Sequence, residues 1–104
     1  MSDGWTDVLA ADALRDEEPR LVDAGGTAVM VVRHAGELYA LSDRCSHLGG
    51  PLHEGTIENH RITCPLHDSV FDLRDGALIH GPAAWPQDAW DVRVRAGRIE
   101  VRAR

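Results

Sequence analysis

Apolar residues in this chain come in short runs, each closed by Gly, Pro, Asn or Asp. That punctuation predicts many short strands. Residues 5–9 (WTDVL) alternate and predict a first strand. Residues 10–15 predict one helical turn, too short to be stable alone. Residues 20–23 predict a short strand, with a turn at Gly25-Gly26. Residues 27–33 (TAVMVVR) form the most β-rich run. Continuous apolarity with dense β-branching predicts a strand covered on both faces. Ala35-Gly36 turns the chain back into residues 37–41, which lead towards position 45.

Residues 45–54 contain Gly49-Gly50-Pro51, which predicts a loop with neither helix nor strand. Residues 56–58 and 61–63 predict two short strands joined at Asn59-His60. A second loop follows, then a strand over 70–73, a turn at Asp75-Gly76 and a strand over 77–79. Gly81-Pro82 and Trp85-Pro86 mark a third irregular segment. The chain closes in a hairpin, 90–95 and 98–102, turning at Ala96-Gly97. Its alternation predicts Val92, Val94, Ile99 and Val101 facing in, and Arg93, Arg95, Arg98, Glu100 and Arg102 facing out. Nine to ten short strands mean an all-β fold. At 104 residues this is read as a single domain over 1–104.

Charge narrows the functions. The net charge of −6 argues against a nucleic-acid binder. No stretch approaches the ~20 apolar residues of a membrane span. Met1-Ser2-Asp3-Gly4 is acidic and no apolar run follows, so the expected location is the cytoplasm. Residues 1–58 hold 11 acids and 4 Arg, against 6 acids and 7 Arg in 59–104. The Arg-lined hairpin reads as a solvated face, and the acidic flank as one able to steer a basic partner.

The chemistry concentrates in one stretch. Cys45-Ser46-His47 opens it and Cys64-Pro65-Leu66-His67 closes it, and these are the only 2 cysteines. Two soft thiolates and two imidazoles in that spacing make a metal site. The ligand types alone suit either tetrahedral zinc or an iron–sulfur cluster. A disulfide between the two cysteines is a weaker alternative, because each stands beside a histidine.

Cys-x-His, sixteen residues, then Cys-x-x-His resembles the ligand pattern of the Rieske family. The resemblance continues through Gly49-Gly50-Pro51-Leu52 and Glu54-Gly55, through residues 69–73 with Asp75-Gly76, and through Gly81-Pro82-Ala83. It implies antiparallel strands in stacked sheets, with the two ligand loops in a cluster-binding part over about 43–84. It implies one [2Fe–2S] cluster, with Cys45 and Cys64 on one iron and His47 and His67 on the other. Leu48, Leu66, Ser69, Phe71 and Pro82 would surround it.

Departures from the pattern bear on the potential. High-potential members carry an extra Cys in each loop; Gly50 and Leu66 stand there, so no disulfide forms beside the cluster. Ser69 occupies the place of a serine that donates to a cluster sulfur, but Phe71 replaces a donating tyrosine. Asp68 stands where the family usually has Gly. Fewer donors and an added carboxylate imply a low potential, towards about −150 mV.

The resemblance therefore implies a one-electron carrier, a small ferredoxin rather than an enzyme by itself. A flavin-dependent reductase would donate and a terminal oxygenase accept, in transient encounters of a monomer. The alternatives are the small subunit of an NADH-dependent nitrite reductase and a structural Cys2His2 zinc module. His53 reads as a surface residue near the cluster, and His34, His60 and His80 as solvated. Trp85 and Trp90 read as packing over the core and loops.

Overall fold

The structure, a computed structural model, describes residues 4–44, 51–65, 68–81 and 85–104. Ten strands lie among the described residues: β1 Thr6–Ala10, β2 Arg20–Ala24, β3 Thr27–His34, β4 Glu37–Ser42, β5 Thr56–Glu58, β6 Arg61–Thr63, β7 Val70–Asp72, β8 Leu78–His80, β9 Ala89–Arg95 and β10 Arg98–Ala103. They make two sheets, β1-β10-β9-β4-β3-β2 and β5-β6-β7-β8. Every strand pair within them is antiparallel. The expected all-β fold of stacked antiparallel strands is present. The six-stranded sheet curls until its edge strands β1 and β2 approach each other.

β3 is the wall between two cores. Val29 and Val31 point into a cluster with Leu9, Leu14, Val22, Ile99 and Val101, inside the curl of the large sheet. Met30 and Val32 point the other way, into a cluster with Leu41, Leu52, Ile62, Cys64, Phe71 and Leu73. All four β3 residues are fully buried. A strand's period of two sends neighbours to opposite faces, so an unbroken apolar run is what two cores require. β4 does the same with Ala40 on one side and Leu41 on the other. The second core holds the small sheet against the large one.

Several positions depart from expectation. A single 3-10 turn, Leu52–Glu54, ends the stretch predicted as plain loop. It forms because Leu52 is pulled into the core while Glu54 N–H closes on the Pro51 carbonyl at 3.1 Å. Val94 is 50% exposed although its cross-strand partner Ile99 is buried. The pairing of β9 with β4 ends at Trp90, so Val94 projects beyond the sheet's covered part. The rest of the hairpin alternates as predicted, with Ile99 and Val101 buried. Four arginines of this C-terminal stretch pair within the fold: Arg93 with Glu100, Arg98 with Asp7, and Arg102 and Arg104 with Asp91. Arg93 and Arg102 also lie over the Trp5 ring, at 4.1 and 4.5 Å.

His34 and His60 are not simply solvated. The His34 ring stacks edge-on against His60 at 4.7 Å, and its Nδ1 lies 2.5 Å from Glu17 Oε1. That contact holds the Glu17 carboxyl below its ordinary range, with a smaller contribution from the Ala35 amide. His80 is exposed, as expected. No helix among the described residues is long and apolar enough to cross a membrane.

Candidate metal centre

Two chain segments that carry the metal-ligand motifs leave the β-sandwich side by side. The first is pinched at its root. β4 ends at Ser42, and an isolated antiparallel bridge joins Arg44 to Pro51. Next to it, the buried Asp43 donates its N–H to the Ala28 carbonyl at 3.0 Å and accepts the Leu52 N–H at 2.7 Å. Its carboxylate takes the His53 backbone N–H at 2.8 Å and lies 3.0 Å from His53 Nδ1. His53, expected at the surface, is therefore a clasp across this neck. Leu52 drops into the core beside Cys64. The neck is thus fixed on both strands, at Asp43-Arg44 and at Pro51-Leu52.

The second segment follows β6. Cys64 is 1% exposed and sits in the apolar cluster between the sheets. Its N–H donates to the Ser69 carbonyl at 2.8 Å, and its own carbonyl accepts the Asp68 N–H at 3.1 Å. The loop closes on itself within a few residues. Asp68 makes this possible with a left-handed φ of 57°. Asp reaches that region more readily than most residues, because its short side chain bonds locally. The backbone thus takes an Asp in the place where the resemblance has Gly.

Ser69 is fully buried, and so is Phe71, which packs in the same cluster as Cys64. Gly81, at φ +115°, crosses directly behind them: a Cβ there would meet the Ser69 Cα at 2.5 Å. This close approach needs glycine on both counts. It brings the Gly81 segment against the second loop, where the resemblance puts a covering loop. Asp72, at the end of β7, accepts two side-chain N–H groups of Arg74, at 2.9 and 2.7 Å. The Arg74 guanidinium pulls the Asp72 carboxyl down to about 2.

Sequence reading missed Gln87. It is 4% exposed, and its side-chain Nε2 donates to the Ser42 carbonyl at 2.7 Å and to the Arg44 carbonyl. Its backbone N–H reaches the Gly76 carbonyl at 2.8 Å. Only its place in an irregular segment between Pro86 and Asp88 was visible, and that gave no sign of partners more than forty residues away. Trp90 behaves as expected, half-buried with its indole N–H on Ser42 Oγ at 3.0 Å. Trp85 does not: at 66% exposure it is no core residue, and its neighbour Pro86 is exposed with it before the chain turns inward at the buried Gln87.

Of the residues singled out for the centre, Cys64, Ser69 and Phe71 are brought together here. Cys45, His47, His67, Leu48, Leu66 and Pro82 lie outside the described residues, as do Gly50 and Ala83. Among the described residues no group of three or more His, Cys, Asp or Glu side chains could hold a metal ion. Two features nonetheless fit a cluster held by two Cys and two His. A buried thiol stands at the root of one loop, and the neck of the other sends Leu52 into the same core. Thiolate ligands with imidazoles at a protein edge are the donor set of such a cluster.

Comparison with known proteins agrees. Residues 4–94 match the Rieske [2Fe-2S] domain. The chain is 35% identical over 97 residues to the anthranilate 1,2-dioxygenase ferredoxin subunit of Burkholderia cepacia, across 93% of this chain and 90% of that one. The ferredoxin of carbazole 1,9a-dioxygenase from Nocardioides aromaticivorans IC177 superposes with a TM-score of 0.91 at 36% identity, covering 98% of this chain and 100% of that one. A chain in the complex of reduced oxygenase and oxidized ferredoxin of carbazole 1,9a-dioxygenase matches with a TM-score of 0.87 at 29% identity, over 97% of this chain and 94% of that one.

Proposed function

The chain belongs to the Rieske [2Fe-2S] domain family, and from that membership we propose that it is a ferredoxin handing single electrons from a flavin-dependent reductase to a terminal oxygenase. Cys45 and Cys64 hold one iron in this reading, and His47 and His67 the other. The bound cluster supplies a one-electron couple at a potential set by its ligands and the hydrogen bonds around it. The protein's own work is to hold and shield. The observation that carries the reading is the pairing of a closed Cys64–Ser69 loop with the Arg44–Pro51 neck, joined through Leu52 and Cys64 in one core.

Each residue's part follows from its surroundings. Cys64 is buried, so the iron it would hold would be kept from water, while His47 and His67 would hold the other. His47 and His67 are then the exit and entry point for the electron. Phe71 and Leu52 supply apolar cover without donors. The buried Ser69 stands next to the loop that brings His67. A phenyl ring at Phe71, in place of a donating tyrosine, gives the reduced cluster no hydrogen bond from that position, which favours a low potential. The protein acts as a monomer in the cytoplasm, with small, weak interfaces to both partners.

The test is spectroscopic, then kinetic. Purified protein should be coloured, with electron paramagnetic resonance only after reduction, and should contain two irons per chain. Colourless, silent protein containing zinc would overturn the cluster assignment. Holoprotein added to NADH, a flavin-dependent ferredoxin reductase and a Rieske-type aromatic-ring dioxygenase should restore substrate-dependent oxygen uptake. If the cluster reduces but no oxygenase accepts from it, while a sirohaem nitrite reductase binds it stoichiometrically, the oxygenase role fails.

A further inference from the structure

The segment 87–90 holds the chain just before Cys45 through four hydrogen bonds. Ser42 donates its N–H to the Asp88 carbonyl at 2.8 Å, offers its carbonyl to Gln87 Nε2 at 2.7 Å, and offers its Oγ to the Trp90 indole at 3.0 Å. Gln87 Nε2 also donates to the carbonyl of Arg44, the last residue before Cys45. A primary amide has two N–H donors on one planar nitrogen. Both are used, on two carbonyls two residues apart. No other neutral side chain of that length offers this fork.

The Arg44 carbonyl belongs to the peptide group that joins Arg44 to Cys45. A peptide group is planar, so a hydrogen bond to its oxygen restrains the peptide through which the chain leaves Arg44. A hydrogen bond to that oxygen also polarises the amide. The other end of Gln87 is tied as well, through its backbone N–H on Gly76. Gly76 holds φ +77°, and a Cβ there would collide with the Gln87 carbonyl. Gln87 thus braces the root of the first ligand loop against the turn between β7 and β8.

We propose that Gln87 is a positioning residue for the cluster: its carboxamide holds the Ser42 and Arg44 carbonyls at the root of the first ligand loop and thereby tunes the cluster's electronic environment. Asp43 with His53 clasps the same neck from the other flank, leaving Gln87 to hold the Arg44 carbonyl. The inference rests on Cys45 being a ligand.

Gln87→Met keeps the volume and removes both donors. The holoprotein should still bind its full cluster, with a shifted midpoint potential, altered g-values and several-fold faster cluster loss to a chelator. Val22→Ala, in the other core, serves as a control of reduced thermal stability. It should leave potential and g-values unchanged. If Gln87→Met matches Val22→Ala in all three readouts, Gln87 is only structural and the proposal fails. If Gln87→Met does not fold, Gln87→Asn keeps the amide but is one methylene too short to span both carbonyls; it is held to the same comparison. Cys45→Ala tests the ligand reading separately: a full, unaltered cluster there overturns that reading, whatever Gln87 does.

Discussion

His34 Nε2 accepts the backbone N–H of His60 at 3.1 Å. His34 ends β3 in the large sheet, and His60 lies in the turn between β5 and β6 of the small one. This bond therefore ties the cluster-bearing sheet to its base. A ring nitrogen that accepts must be unprotonated, so the proton sits on Nδ1 and is donated to Glu17 at 2.5 Å. Nitrogen NMR of the folded protein should show His34 as the Nδ1–H tautomer. His34→Ala leaves a half-buried amide without its acceptor, costing about 1–3 kcal/mol. The His60 amide should then exchange faster with solvent, measured by hydrogen exchange. Unchanged exchange at His60 would mean the joint lies elsewhere.

The Asp72–Arg74 pair predicts an acid limit. Asp72 titrates at about 2 in the fold against 3.8 ordinarily, chiefly through the Arg74 side chain. A depressed carboxyl stabilises the fold above the higher value, and that stability is lost as pH falls from about 4 towards 2. Arg74→Gln should move acid unfolding to higher pH. The side chain of Arg74 is 64% exposed, so solvent screens the pair and the loss at neutral pH is small. Denaturant melts at pH 7 and pH 3 measure both effects, and the difference between variant and parent should shrink at the lower pH.

Replacing an imidazole by a thiolate tests which residues meet the second iron. His47→Cys or His67→Cys adds negative charge to the cluster, moving it from the mixed-ligand range towards the all-cysteine value of about −400 mV. The midpoint potential should fall by more than about 100 mV in a voltammetric measurement. An unchanged midpoint in either variant would remove that histidine from the ligand set.

Asp68 sets a charge and a backbone bend at once. Its φ of 57° carries a cost that glycine would not have, while glycine loses more entropy on folding. These effects oppose each other, so Asp68→Gly should change stability by less than about 1 kcal/mol. The exposed carboxylate is removed, however, and the reduced cluster is no longer opposed by it. The potential should rise by an amount on the order of tens of millivolts, less at high salt. Redox titrations at two ionic strengths check it; a salt-independent shift would point to backbone change instead.

What the sequence displayed was mostly local. The β3 run, the Ala35-Gly36 and Ala96-Gly97 turns and the two Cys/His pairs are each readable within a few residues, because period-two burial and turn chemistry act at that range. The bonds that brace the candidate centre are different. Gln87 meets Ser42 and Arg44, His34 meets Glu17 and His60, and Asp43 meets His53, each across a separation set by sheet topology. No periodicity announces such partners. Val94 was misread for a related reason: alternation gives the face but not where the neighbouring strand stops.

Phe71 offers the sharpest test of what sets the potential. It is fully buried, pairs with Ile62 and Leu78, and packs in the cluster that includes Cys64. Where relatives of high potential have a tyrosine, this chain offers a ring with no donor. Phe71→Tyr adds one hydroxyl at that place. If the hydroxyl donates to a ligand sulfur, the reduced state gains a hydrogen bond and the midpoint rises. The buried polar group is then satisfied, and stability falls by less than about 1 kcal/mol. If it finds no partner, stability falls by about 1–3 kcal/mol and the midpoint stays where it was. We expect the first outcome, because Phe71 shares its apolar neighbours with the thiol of Cys64. Voltammetry and thermal melts on the same preparation separate the two, and a large loss of stability without a redox shift would show that the missing hydroxyl is not what lowers the potential.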